Sequence, residues 1–343
     1  MQDTTKCLLL PLDLRLMQST PFDINDLWDL SEDQFFAKAK QLAAWQLQHN
    51  KVYREWVNLT RPFQKEETHI CEIPFLPISF FKTHEVYIGE KPKTWFESSG
   101  TTQDVVSKHW VVDTAIYEQS FNRTFTRFYG NVKDYCIIGL LPSYLERQHS
   151  SLVYMVEHLV NASGHPQSGF YLYDFEKLNQ VIKLLESQGQ KTILIGVSFA
   201  LMDFAAAFPQ QLTHTIIMET GGMKGRKEEL TKNALHAYLS EKLGTKMIHS
   251  EYGMTELLSQ AYSTALGVFK SPPWMKVLVG DEQEPGNLKM KGRGILHVID
   301  LANIYSCAFI ETQDRVELFE DGSFNVLGRS DNSDRRGCSL LVV

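Results

Sequence analysis

The sequence predicts an α/β fold: mostly parallel, helix-covered sheet, followed by a smaller antiparallel β section. Three observations predict it. Short apolar runs alternate with longer amphipathic stretches through the middle of the chain, the pattern of strands and crossover helices. A helical stretch precedes that alternation. From about Val277 onward, short strand-like segments follow one another, separated by turn residues.

The elements read as follows. Residues 24–60 are helical, with Ser31 and Gln34 forming a capping-box signature. Phe36, Ala39, Ala43 and Leu47 then recur at helical spacing and mark a buried face. Tyr135–Leu141, Lys191–Val197, Thr215–Met218 and Lys246–Ser250 are strands. Helices follow at Ser151–Val160, Phe199–Phe208 and Lys227–Leu243. Phe199, Met202 and Phe204 read as core, or as the lining of an apolar pocket. The closing section holds strands at Leu288–Met290, Ile295–Ile299, Ala308–Glu311, Val316–Phe319 and Phe324–Leu327, with Asp321-Gly322 as a hairpin turn. One large domain over 1–343 is expected, divided into a helical part (1–90), an α/β core (91–275) and a β-rich closing section (276–343).

Composition narrows the function classes. A chain of 343 residues with 43% hydrophobic content can bury a large core. The formal net charge of −7 is spread along the chain, and no basic run points to nucleic acid or an anionic membrane. The five cysteines are scattered and form no C-x-x-C pair, against a disulfide framework or a zinc site. The apolar patch Cys7–Leu12 is too short for a signal peptide, and no stretch is long enough to span a bilayer. A cytoplasmic protein with reduced thiols is expected.

Five segments carry candidate chemistry. Ser98, Ser99, Gly100, Thr101 and Thr102 form a hydroxyl-rich turn after the strand-like Trp95-Phe96; such a turn wraps phosphate oxygens or is a plain polar loop. Gly221-Gly222 ends the third strand; paired glycines admit a flat ligand against the backbone, or make a tight turn. Tyr252, Gly253, Met254, Thr255 and Glu256 follow the fourth strand. They offer an aromatic face, open backbone, a hydroxyl and a carboxylate suited to magnesium, though Glu256 also reads as a first-turn helix carboxylate. Asp314 lies between two predicted strands, where it takes ribose hydroxyls, pairs with Arg315 or caps a turn. Arg329, in Gly328-Arg329-Ser330-Asp331, reaches phosphate or ribose, or is a solvated turn residue.

In this order the segments resemble the adenylate-forming superfamily of acyl-CoA synthetases, peptide-synthetase adenylation domains and luciferases. The resemblance covers roughly residues 90–340. Within it the chain is most similar to the acyl-protein synthetases (LuxE type) of bacterial bioluminescence, which share the ending seen here as Arg336-Gly337-Cys338-Ser339-Leu340. The resemblance implies an ATP-dependent ligase that needs Mg2+, turns a carboxylic acid, fatty in that subfamily, into acyl-AMP, and moves the acyl group to its own Cys338. It implies ATP binding by Ser98, Ser99, Gly100, Thr101, Thr102, Gly221, Gly222, Tyr252, Gly253, Met254, Thr255, Asp314 and Arg329, with Glu256 as the metal ligand. An acyl-accepting reductase or carrier protein is the implied partner.

The chain departs from the pattern in two places. Gln103 replaces the glycine that closes the phosphate loop. The mobile C-terminal domain, which supplies the adenylating lysine in the larger family, is expected to be absent, leaving Lys108 or a partner to provide that cation. Direct transfer to coenzyme A or a carrier protein, acylation of Cys136, and a non-catalytic nucleotide-binding domain are the alternatives.

Overall fold

The computed structural model of the protein describes residues 20–60, 69–99, 105–141, 149–221, 230–281 and 286–330. A 3₁₀ turn at Ile24–Leu27 leads into helix α1 (Glu32–His49) and helix α2 (Lys51–Thr60). The predicted capping box is present: the Gln34 amide donates to Ser31 Oγ and the Ser31 amide donates to Gln34 Oε1. The buried face is Phe35, Ala39, Leu42, Ala43 and Gln46, so Phe36 and Leu47 flank the stripe instead of leading it.

Gln46 is a fully buried polar residue on that apolar face. Its Nε2 donates to the carbonyls of Asn303 and Ile304, each at 2.9 Å, and its Oε1 accepts the Ala308 amide at 3.0 Å. Asn50 adds a bond from Nδ2 to the Ser306 carbonyl at 2.8 Å. The C-terminal end of α1 thus satisfies the backbone of a buried turn that α1 itself covers.

Strand β1 (Leu76–Pro77) and the single-turn helix α3 (Phe80–Thr83) lead to a two-stranded hairpin, β2 (Thr94–Glu97) and β3 (Lys108–Val111). The alternating core then follows in chain order: α4 (Thr114–Tyr129), β4 (Cys136–Leu140), α5 (Ser151–Ser163), β5 (Gly169–Phe170), α6 (Phe175–Ser187), β6 (Thr192–Gly196), α7 (Ser198–Ala207), β7 (Thr215–Glu219), α8 (Lys232–Leu243), β8 (His249–Tyr252) and β9 (Ala261–Ser263). The six strands are ordered β5-β4-β6-β7-β8-β9, parallel except for β9. All five residues of β4 and of β6 are buried, as expected for strands covered on both faces. Phe199, Met202 and Phe204 on α7 belong to the core.

The second sheet contains β10 (Val268–Phe269), β11 (Met275–Gly280), β12 (Leu288–Lys289), β13 (Gly292–Asp300), β14 (Phe309–Leu318) and β15 (Phe324–Arg329), in the order β10-β15-β14-β13-β11-β12. These pair antiparallel, and β1 adds in parallel beside Ile310 and Glu311 of β14. With seven strands, this section is not the smaller of the two sheets. It also differs from expectation at β14, where the predicted strands Ala308–Glu311 and Val316–Phe319 are one continuous strand. Thr312 and Asp314 occupy buried positions between them, so the polar interruption in the sequence is not a break in the backbone. Among the described residues no helix is long and apolar enough to cross a membrane.

The Gln46 contacts predict a stability effect. Gln46→Leu keeps the volume but strands two carbonyls and an amide, and should cost about 2–4 kcal/mol. Urea denaturation would measure it, and an unchanged midpoint would refute this role.

Candidate active site

A cavity of about 150 Å³ opens where the carboxyl ends of β7 and β8 meet the hairpin β2–β3 and the second sheet. Ligands of parallel α/β sheets bind at this edge. Segments far apart in sequence line it: Glu97–Ser99, Ser150–Leu152 at the start of α5, Glu219–Gly221, Tyr252–Glu256 and Arg329.

Ser98 and Ser99 extend from β2. The Ser98 amide donates to the Ser107 carbonyl at 3.0 Å, and the Ser107 amide donates to Ser98 Oγ at 2.9 Å. Ser98 therefore closes the base of the hairpin loop. Gly100, Thr101, Thr102 and Gln103 lie outside the described residues. Lys108 does not line the cavity. The hairpin register places it opposite Glu97, and its Nζ lies 3.3 Å from Glu97 Oε1. Trp95 Nε1 also donates to that carboxylate at 2.9 Å. Burial would raise the Glu97 pKa, but Trp95 and Lys108 more than offset this and hold it below the usual carboxylate range.

β7 ends at Glu219, and the chain turns at Gly221. Gly221 has φ +75°, a conformation that favours glycine, and its amide donates to Glu219 Oε2 at 2.7 Å. Gly222 lies outside the described residues.

The loop after β8 forms one wall of the cavity. The Tyr252 ring packs against Phe269 and Phe324, with ring centres 5.6 Å away in each case. Its hydroxyl donates to Asp314 Oδ2 at 2.7 Å. Burial and the neighbouring Asp314 keep this phenol protonated, well above its ordinary pKa. Next in the chain, Gly253 has no room for a side chain of its own: a Cβ there would come 2.5 Å from Glu251 Oε1. The Thr255 carbonyl accepts from Nδ1 of buried His109 at 2.8 Å. Burial lowers the His109 pKa to about 4, so the ring is neutral with its proton on Nδ1, and its buried Nε2 has no partner among the described residues. Glu256 is buried on the cavity wall, and Asn303 Nδ2 donates to its backbone carbonyl at 2.8 Å.

Asp314 is not in a turn and does not line the cavity. It is fully buried within β14, behind Tyr252 and Arg329. Arg329 is likewise a strand residue, paired with Asp314 across β14 and β15, with Nε 3.5 Å from Asp314 Oδ1. Its Nη2 donates to Gln313 Oε1 at 3.2 Å. The sequence had offered contact with phosphate or ribose, or a solvated turn, and did not reveal this strand register.

The sequence reading gave no role to three charged or ionisable wall groups, Lys232, Glu219 and Glu251. Lys232, the first residue of α8, lies 3.3 Å from Glu219 Oε1. Burial would raise the Glu219 pKa, but Lys232 and His236 overcome this and hold it far below the carboxylate range. Glu251 is the opposite case: burial, reinforced by the Glu219 charge, raises its pKa to about 8. The sequence placed the helix start at Lys227, so the first-turn position of Lys232, where a cation opposes the helix dipole, was not legible in it.

Cys136 is buried on β4 and burial raises its thiol to about 11, which does not suit an acyl acceptor. Cys338 lies outside the described residues. Among the described residues no cluster of three or more acidic, His or Cys side chains could hold a metal ion. A single carboxylate such as Glu256 still fits magnesium when phosphate oxygens and water complete its shell.

No family model and no curated protein matches the chain. Solved structures do. An open conformation of 2-hydroxyisobutyryl-CoA ligase, in complex with 2-HIB-AMP and CoA, superposes with a TM-score of 0.58 at 10% identity, covering 90% of this chain and 77% of that one. O-succinylbenzoate coenzyme A synthetase from Bacillus subtilis, in complex with AMP, gives 0.51 at 14% identity, covering 70% and 50%. An ATP-bound RpMatB-BxBclM chimera gives 0.51 at 16% identity, covering 71% and 49%. The chain spans about half the length of the first solved structures it matches. The fold is that of the N-terminal domain of adenylate-forming ligases.

The wall carboxyls predict a pH dependence. Folding raises the Glu251 pKa from 4.5 to about 8, so the folded state holds a proton that the unfolded state has lost. Stability from this group is complete below the unfolded value and falls as pH rises through the folded one. His109 and His249, lowered from 6.5 to about 4, and Asp300, raised from 3.8 to about 6, have largely finished titrating in both states by about pH 7.5. Between about pH 7.5 and about 8 the slope should therefore belong mainly to Glu251. Glu251→Gln should flatten the fall in urea midpoint over that interval; an unchanged slope would assign it elsewhere.

Proposed function

We propose that this chain uses ATP to activate a carboxylic acid as acyl-AMP and then passes the acyl group to a thiol. One observation carries this reading: the cavity brings together Ser98, Ser99, Gly221, the Tyr252–Glu256 loop and Arg329, from segments widely separated in sequence. The adenylate-forming fold supports it, as do the ATP, AMP and acyl-AMP named for the matched structures.

The residues divide the work. Ser98 and Ser99, continued by Gly100, Thr101 and Thr102, donate to the phosphates. Gly221, Gly222 and Tyr252 receive the adenine. The backbone at Gly253 and Met254 leaves room for the nucleotide, and Thr255 reaches its phosphate. Arg329 faces the ribose, while Asp314 holds both Arg329 and Tyr252 in place. Magnesium on Glu256 and the phosphate oxygens would neutralise charge that develops on the leaving group.

A carboxylate oxygen of the acid attacks the α-phosphorus, the bond to the bridging oxygen breaks, and pyrophosphate leaves. In the second half-reaction a thiolate attacks the acyl carbonyl, the bond to the AMP oxygen breaks, and AMP leaves. We place that thiolate at Cys338, where Arg335 and Arg336 favour the ionised form. A fatty acid is the substrate on this reading, with a reductase or carrier protein taking the acyl group onward. The CoA in the 2-hydroxyisobutyryl-CoA ligase structure favours a second reading, transfer to coenzyme A.

ATP–pyrophosphate exchange across fatty, aryl and amino acids tests the first step. Exchange should appear with at least one acid and drop on the order of a hundredfold or more in Glu256→Gln. Intact-mass analysis should then show an acyl adduct that Cys338→Ser abolishes while exchange persists. An adduct-free protein that acylates added coenzyme A would move the second step to that thiol, and absence of exchange with every acid would refute the activity.

A further inference from the structure

Lys232 is an unexpected residue at its position. It opens the twelve-residue helix α8, directly after the cap Thr231, whose hydroxyl accepts the Ala234 amide. A cation there faces the positive end of the helix dipole, so helix stability does not account for it. Its side chain is only 16% exposed and lines the cavity. Burying an ammonium is costly unless it is paired.

The pairing comes from Glu219, which is buried at the end of β7. Glu219 Oε2 accepts the Gly221 amide at 2.7 Å, and Oε1 lies 3.3 Å from Lys232 Nζ and 3.5 Å from His236 Nε2. Phe269, also on the wall, presents its ring face 4.0 Å from Nζ. The ammonium is thus fixed by one carboxylate oxygen and one aromatic face. An ammonium has three donors. Its contact with Glu219 leaves capacity for a ligand in the cavity it lines.

The rest of the wall makes such a cation necessary. An anionic ligand entering here meets the carboxylates of Glu97, Glu219 and Glu256, beside the protonated Glu251. Among the described residues, the cations that line the cavity are Lys232 and Arg329. Arg329 is directed at Asp314 and Gln313. Lys108, where the sequence had pointed, is engaged by Glu97 and is not on the wall.

We infer that Lys232 is the cation that binds an oxyanion of the ligand in this cavity, and that Glu219 and Phe269 are its positioning residues. The inference rests on the acid-activating reading above. The oxyanion is either the nucleotide's α-phosphate or the carboxylate of the acid, and the two can be told apart.

The test compares wild type with Lys232→Met and with the double variant Lys232→Met/Glu219→Gln, which avoids stranding a buried carboxylate. Calorimetry measures AMP and adenosine binding; exchange kinetics give KM for the acid that the wild type activates. A phosphate contact predicts that AMP weakens at least tenfold in both variants while adenosine binding holds. A carboxylate contact predicts a rise of at least tenfold in acid KM with the AMP-to-adenosine ratio unchanged. If neither quantity moves, or AMP and adenosine weaken in step, Lys232 is a structural ion pair and the inference falls. A wild type that neither binds AMP nor exchanges pyrophosphate would instead refute the acid-activating reading itself.

Discussion

The site depends on two buried carboxylates of the antiparallel sheet that fix both ends of one loop of the parallel sheet. Asp314 on β14 accepts the hydroxyl of Tyr252, the last residue of β8. Asp300, at the end of β13, accepts the amides of Leu258, Ser259 and Ala302 and the Ser259 hydroxyl. The loop between these anchors contains Gly253, Met254, Thr255 and Glu256. A hydrogen bond to a charged group contributes about 1.5–3 kcal/mol, and removing one partner of a buried charged pair costs about 3–5 kcal/mol. Two such attachments hold a short loop far more firmly than its own backbone could. The sheets need not be one continuous β structure for the cavity between them to keep its shape.

This arrangement explains why so many polar groups are buried where an apolar core would be simpler. Burial raises the Asp300 pKa to about 6 even with its donors in place, so the clamp is costly to form. His109 under Thr255 is neutral, and its Nε2 has no partner among the described residues, a further cost. Glu219 and Glu251 are neighbouring carboxyls whose pKa values are driven in opposite directions. Titratable groups separated in this way are common at functional sites, though structural networks perturb pKa values too. Here the perturbed groups share one cavity wall, which favours the functional explanation.

Much of the fold was legible in the sequence. β4, β6 and β7 are buried strands and read as apolar runs, and the capping box of α1 was visible in two residues. β8 was displaced: the sequence pointed to Lys246–Ser250, and the strand is His249–Tyr252. Its buried residues Ser250 and Glu251 are polar, so hydropathy did not mark them. β14 appeared as two strands for the same reason. Thr312 there donates to the Leu296 carbonyl at 2.8 Å, and Asp314 accepts from Tyr252, so both are satisfied inside the sheet. The motif segments around Ser98, Gly221 and Tyr252 were found by their residue types. The pairing of Lys108 with Glu97 is set by a hairpin register that residue types do not encode.

These departures are not scattered. The β8 shift, the hidden continuity of β14, the strand position of Arg329 and the lysine at the start of α8 all surround the same cavity. In the buried strands β4, β6 and β7, where hydropathy, propensity and packing favour one structure, the sequence reading agreed with the fold. At the cavity those levels conflict: polar residues occupy buried strand positions and a cation faces a helix dipole. Local rules are typically broken at functional sites, and the cost is offset elsewhere in the fold. The Tyr252–Asp314 and Asp300 attachments, together with the Gln46 contacts of α1 around residues 303–308, supply that compensation here. The misread positions therefore border the same cavity as the motif segments, and they include Lys232, which no motif contained.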